Sequence, residues 1–207
     1  MRLPFPPYIN KIVCIGLGNF IAPDSDEENE LLTLSMLRHA AVLTVAETLF
    51  KRFGRYIQII AQDVDYTPDC AMVLSRRGFF IRGRNGAGGF AEIDDKTFVF
   101  APSSNFCLKE IVADIAKPAA MFWSTVLTPE ESEKTSRAHQ LVTFGNHITS
   151  TWNYPIADAD TPRVQLLVKE YDVYQFPCTN LFGSVSIYAF RRTSMVNMNQ
   201  KIGLLNK

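Results

Sequence analysis

The chain has 207 residues, with twenty-one basic side chains balancing twenty-one acidic ones. A composition that is 47% hydrophobic and 12% aromatic supplies material for a buried core and excludes a disordered chain. Zero net charge leaves no basic stripe for nucleic acid and no pull toward an anionic membrane surface, so neither is expected as a partner.

No stretch approaches the roughly 20 uninterrupted apolar residues of a membrane helix. The opening Met-Arg-Leu-Pro-Phe-Pro-Pro lacks a long apolar core, so it does not read as a secretory signal. Cys14, Cys70, Cys107 and Cys178 are scattered without a CxxC pair. They read as reduced thiols, which places the chain in the cytoplasm or the nucleus. The length indicates a single domain over 1–207, with a Rossmann-like half at 10–125 and an irregular β-rich part at 126–207.

Residues 1–8 read as an extended arm across the surface. Lys11 to Ile15 is continuously apolar after its first residue and predicts a buried strand. Gly16-Leu17-Gly18-Asn19-Phe20 turns the chain. An acidic segment follows (Asp24, Asp26, Glu27, Glu28, Glu30), in which Ser25 and Glu28 are spaced as a capping box. The helix beyond runs to about Phe53, its apolar stripe read as Leu34, Leu37, Ala41, Val45 and Leu49. Arg38, Glu47 and Lys51 mark its wetter side, and Gly54 stops it.

A second strand is expected at Tyr56 to Ala61, a short helix at Asp69 to Arg77 closing at Gly78, and a third strand at Phe79 to Arg82. Asn85 to Gly89 reads as a flexible loop. Thr97 to Ala101 is the fourth strand, Cys107 to Ala116 a helix and Ala120 to Trp123 a fifth strand. Beyond these, Glu130 to Ala138 reads as a solvated helix start and His147 to Thr161 as loop. Gln165–Tyr174 and Ser184–Phe190 read as antiparallel additions to the sheet. The fold class is therefore α/β, a Rossmann-like three-layer sandwich with a mainly parallel sheet and antiparallel C-terminal strands.

A glycine pair between a buried strand and a helix is the setting in which GxG carries chemistry. The first glycine permits the turn and the second lets backbone approach a ligand. Ile21 stands where a dinucleotide fingerprint has its third glycine, and the five nearby carboxylates oppose a pyrophosphate at the helix start. Both features argue against NAD or FAD. Asp63 and Asp65 follow the second strand, where an acid often meets ribose hydroxyls. A nucleoside-type ligand without a pyrophosphate, such as S-adenosylmethionine, suits both observations. Against it, methyltransferases usually carry an acid two positions before the first glycine, and Cys14 stands there. The bland alternative is that the glycines only turn the chain and the aspartates only cap the next helix.

The run Ile-Val-Cys-Ile-Gly-Leu-Gly-Asn-Phe resembles the opening of the Sensitivity-to-Red-Light-Reduced family (SRR-like domain). The likeness continues through Asp63, fifteen positions before Gly78, then Asn85 and Gly88, then Phe98-Val99-Phe100-Ala101-Pro102. Phe182 through Phe190 is similar to the family's closing strand, so coverage is roughly 10–125 and 180–192. The resemblance links the chain to a family associated with light and circadian signalling, microtubule-drug resistance and haem metabolism. Family members commonly follow the proline with a histidine and a cysteine and carry a histidine in the closing strand. Here Ser103, Ser104 and Tyr188 stand at those positions, which places haem binding in doubt. The pattern reads as a divergent, fungal-type member with a private substrate.

Ser103, Ser104 and Asn105 follow the fourth strand, either as hydrogen-bond donors to a substrate or as the N-cap of the next helix. Of the histidines His39, His139 and His147, the first reads as structural and His147 is the best general acid–base candidate, though a polar loop edge explains it as well. None has metal-ligand spacing, so no metal is expected. Trp123, Trp152, Tyr154 and Tyr188 line an apolar pocket or belong to the core. Arg76, Arg77, Arg82 and Arg84 either hold an anion or form a solvated face.

The expected site is thus a small-molecule cleft at the carboxyl edge of the sheet. Gly16, Gly18, Asn19, Asp63 and Asp65 would hold the ligand, with Ser103, Ser104, Asp63 and His147 as candidates for chemistry. Group transfer, isomerisation and cyclisation remain open as reactions. So does a non-enzymatic regulatory module that keeps only the fold, and so does a homo-oligomer.

Overall fold

The computed structural model describes residues 5–21, 29–131, 143–144, 147–148, 158–177 and 179–191, with backbone alone at 29, 30, 143, 144, 147, 148, 179 and 180. The main sheet has seven strands: β1 (Lys11–Ile15), β2 (Gln58–Gln62), β3 (Phe79–Ile81), β4 (Thr97–Ala101), β5 (Ala120–Ser124), β8 (Tyr171–Gln175) and β9 (Val185–Phe190), in the spatial order β3-β2-β1-β4-β5-β9-β8. The first five are parallel, with Cys14 of β1 opposite Ala61 of β2 and Phe100 of β4. β9 pairs antiparallel with β5, and β8 pairs antiparallel with β9, which returns β8 to the direction of β1. The expected Rossmann-like sandwich with antiparallel C-terminal pairings is therefore the observed fold.

The central strands are buried on both faces, and alternate side chains serve two cores. On one face Ile12, Cys14, Ile59, Ala61, Phe98 and Phe100 pack against α1 (Asn29–Phe53) and α2 (Pro68–Arg76) through Val42, Leu49, Cys70 and Leu74. On the other, Val13, Ile15, Ile60, Val99 and Trp123 meet Leu108 and Val112 of α3 (Leu108–Ile115) and Leu167 of α4 (Pro162–Val168). A last short helix, α5 (Thr179–Phe182), sets Phe182 into the first core, where its ring meets Phe100 and Phe122.

Four expectations are corrected. The arm does not simply cross the surface, because Phe5 is buried with its ring 5.2 Å from Phe98. The buried stripe of α1 is Ser35, His39, Val42, Ala46 and Leu49, so Leu37 faces solvent and Arg38 turns inward. Two polar residues belong to that stripe, which is why hydrophobicity alone misplaced it. Gln165 to Val168 is helix rather than strand. Pro162 in the first turn and the spacing of Val164 and Leu167 bury one helical face there. Finally, His147–Ile148 is a strand (β7), paired antiparallel with β6 (Thr143–Phe144), inside a segment read as loop. The capping box at Ser25 and Glu28 and most of the helix expected at 130–138 lie outside the described residues.

Among the described residues no helix is long and apolar enough to cross a membrane.

Candidate functional site

β1 lies between β2 and β4, and α1 and α3 leave the carboxyl ends of β1 and β4 toward opposite faces of the sheet. Chains that part in this way leave a crevice between them, the usual ligand position of an open α/β sheet. The two rims approach closely. Gly16 has φ +71°, and a Cβ there would stand 3.2 Å from the carbonyl oxygen of Ser103. Its amide donates to the Gln62 carbonyl at 3.3 Å.

Gly18 is held on both sides. Its amide donates to Oδ2 of Asp63 at 2.7 Å, and its carbonyl accepts from the Ser35 hydroxyl at 2.7 Å. Its φ of +84° is a conformation that side-chain-bearing residues rarely adopt. The second oxygen of Asp63 accepts the Asp65 amide at 2.8 Å. Asp63 is buried and caps no helix; Thr67 does that for α2 by accepting the Cys70 amide at 3.2 Å. Asp65 is exposed and lines the cleft.

Gln62 fastens the third wall. Its Nε2 donates to the Gly86 carbonyl at 2.9 Å, and its Oε1 accepts the Gly89 amide at 2.5 Å. A Cβ on Gly89 would lie 2.6 Å from that same Oε1, so the loop sits against the sheet as closely as glycine allows.

These loops enclose an open cleft of about 410 Å³. Gly16, Gly18, Asp63, Asp65 and Ser103 all line it, joined by Asn105. Phe90 and Phe106 supply an apolar part of the wall, their rings edge to face with centroids 5.9 Å apart. Arg38 and Arg84 line it as well. Burial pushes the Arg38 guanidinium below its ordinary pKa, and the charge of Asp63 opposes that shift. Arg84 donates its Nε to the Val64 carbonyl at 2.8 Å.

Two expected members stand outside the lining. Asn19 closes a turn on itself, with Nδ2 donating to the Ile21 carbonyl at 2.9 Å. Ser104 donates its hydroxyl to the Phe106 carbonyl at 2.9 Å. Neither serine caps α3, whose N-cap position is Cys107 with no side-chain cap bond there. Instead Oδ1 of Asp158 accepts the Lys109 amide at 2.8 Å. The side chain of His147 and the residues Trp152 and Tyr154 lie outside the described residues. Trp123 and Tyr188 belong to the second core, and the Tyr188 hydroxyl accepts the Val126 amide at 2.8 Å. Of the four arginines weighed for an anion, Arg84 alone lines the cleft; Arg82 pairs with Glu92, while Arg76 and Arg77 are exposed.

Against this geometry the SRR1 domain model matches residues 5–193. The chain belongs to the SRR1 domain family. The match takes in the C-terminal strands and helices between the two stretches where the sequence likeness was legible. No curated protein and no solved structure matches this SRR1 domain.

His39 was expected to be structural, and its contacts agree. Its Nδ1 donates to the Ser35 carbonyl at 2.8 Å, which leaves Nε2 to accept the Tyr66 hydroxyl at 2.8 Å. The ring is neutral in this arrangement, and burial lowers its pKa below the usual 6.5. Besides the rings of Phe90 and Phe106, sequence reasoning missed the polar residues Ser35, Arg38 and Gln62. Each sits on a helix or strand whose apolar pattern gives no hint that one polar side chain turns toward a loop far along the chain.

Among the described residues no group of three or more His, Cys, Asp and Glu side chains is placed to hold a metal ion. No His, Cys or Met lines the cleft, so the described residues do not fit a haem iron there.

Proposed function

We propose that this SRR1 domain binds a small organic molecule in the cleft at the carboxyl ends of β1, β2 and β4. The single observation that carries the reading is the convergence of Gly16, Gly18, Asp63, Asp65 and Ser103 on one open cavity of about 410 Å³. That volume lies within the range of small-molecule sites. A crevice at the point where adjacent crossovers diverge supports the same position.

The ligand we favour is nucleoside-like and lacks a pyrophosphate, with S-adenosylmethionine as one example. Asp65 would receive ribose hydroxyls, the apolar rings of Phe90 and Phe106 would meet a base, and the Gly16–Gly18 backbone would approach the ligand without a side chain between. Asp63 acts on the ligand indirectly, by holding Gly18 and Asp65 in position. Group transfer, isomerisation or cyclisation would then proceed through shape and hydrogen bonds from Ser103 and Asn105. A reducing compartment, cytosol or nucleus, is part of the proposal, since Cys14 and Cys70 are free and buried thiols.

Melting-temperature shifts with adenosine, S-adenosylmethionine and haem test the reading. A ligand present at 100 times its Kd adds about 2.7 kcal/mol of stability. We expect the nucleosides to raise the melting temperature and Asp65→Ala to reduce the rise. Unchanged melting with every nucleoside would remove this ligand class. A regulatory module that retains only the fold is the second reading, favoured by Ser103 and Ser104 at the positions of the family's histidine and cysteine.

A further inference from the structure

Arg38 enters the cleft from α1, three residues beyond Ser35 and so on the same helical face as the hydroxyl that holds Gly18. Its Nε–H is sealed from solvent and meets no hydrogen-bond acceptor among the described residues, so a ligand in the cleft meets this guanidinium at its terminal nitrogens. A guanidinium is a donor that keeps its charge, so a sealed N–H without an acceptor is costly. Asp63 supplies a negative charge nearby, but its oxygens face the backbone amides of Gly18 and Asp65 and none of them accepts from Arg38 Nε. Arg84 brings a second guanidinium to the same cleft from the loop after β3.

We infer that the cleft takes a ligand bearing a carboxylate, received by Arg38 with Arg84 as the second cation. This rests on the reading of the cleft as a ligand site and names the ligand's charged end. A flat carboxylate matches the fork of a guanidinium. The formal charges of Arg38, Arg84, Asp63 and Asp65 cancel, which favours a singly charged anion over a phosphate dianion. The opposite end of the ligand then points to Asp65, a group that repels a second anion and welcomes a hydroxyl or an amine.

The Nε–H of Arg38 can be followed directly by proton–nitrogen NMR, assigned by its loss in Arg38→Lys. Wild-type protein is titrated with sodium acetate and sodium benzoate, then with sodium phosphate and sodium chloride at matched ionic strength. A saturable shift of this resonance with the carboxylates alone is expected. Arg38→Gln should weaken benzoate binding about tenfold, and Arg84→Gln by less, with the backbone spectrum otherwise unchanged. A resonance that responds to phosphate alone, or to none of the anions, overturns the inference. Adenosine titrated into the same sample separates the two claims. Shifts at the Gly16 and Gly18 amides without any carboxylate effect would retain the cleft and discard the anion subsite. A carboxylate effect without any adenosine effect would do the reverse for the nucleoside.

Discussion

The amide of Gly18 donates to the carboxylate of Asp63 at 2.7 Å, joining the turn after the first strand to the acid after the second. The same carboxylate accepts the Asp65 amide, so one buried side chain sets the shape of two rims of the cleft. Asp65 beside it is exposed.

Removing that carboxylate should cost stability. Asp63→Ala leaves two amides without their acceptor, each worth about 1–3 kcal/mol where buried. Asp63→Asn keeps one carbonyl oxygen and should lose less. Urea unfolding midpoints check this, and an Asp63→Ala protein as stable as wild type would show that the clasp contributes nothing.

The loop after β3 offers a paired comparison. Gly89→Ala drives a methyl group against Gln62 Oε1, and overpacking of this kind costs about 1–3 kcal/mol. Gly83→Ala meets only the Asn85 carbonyl oxygen at 3.6 Å, ordinary contact, and should be close to neutral. Melting temperatures distinguish the two. Equal losses would mean that the loop does not press on the sheet.

Acid should act through His39. Its folded pKa is lowered by burial, so below pH 6.5 the unfolded chain takes up a proton that the folded state resists. Stability from this residue is complete above about pH 6.5 and declines as the pH falls toward the folded value. Protonation would also make Nε2 a donor, so the Tyr66 O–H would lose its acceptor. His39→Gln should flatten the acid limb of a stability-against-pH curve; an unaltered slope counts against the assignment.

Asp158 works in the other direction. Burial raises its pKa to about 6, against the Lys109 amide and charge that favour the ionised form. The folded state therefore holds this proton more tightly than the unfolded chain, and stability falls as pH rises from about 4 to 6. Asp158→Asn keeps an acceptor for the Lys109 amide and removes that loss, on the order of 1 kcal/mol after solvent screening. Chemical denaturation at pH 4 and pH 7 on both proteins measures it, and parallel curves would refute it.

The ion pair between Lys109 and Asp160 is buried, with the side chains 2% and 10% exposed. Lys109→Met strands a carboxylate and should cost about 3–5 kcal/mol. Adding Asp160→Asn removes the stranded charge while still offering an oxygen to the Leu127 amide, which Asp160 accepts at 2.9 Å. The double variant should recover much of the loss in urea melts. A double variant no more stable than Lys109→Met would show that the charge was not the cause.

Local chemistry made much of the scaffold legible. Lys11 to Ile15 and Thr97 to Ala101 are continuously apolar after their first residues, and each forms a strand over those same residues. Gly54 and Gly78 have positive φ where helices were expected to stop. The leucine-rich run from Gln165 was harder, because a short apolar stretch satisfies a buried strand and a helix equally well. Only the placement of Val164 and Leu167 toward the sheet decides for the helix.

By itself, then, the sequence determined the order of the parallel units, the family and the glycine turn with its neighbouring acid, because strand periodicity and turn preference act over a few residues. Tertiary structure alone decided which polar groups face one another. Asp158 caps α3 from 49 positions away, Ser35 reaches Gly18 from inside an apolar stripe, and Arg38 turns into the cleft from a helix side that looked solvated. Hydrogen bonds and charges are satisfied in space, across strands whose adjacency no local pattern encodes.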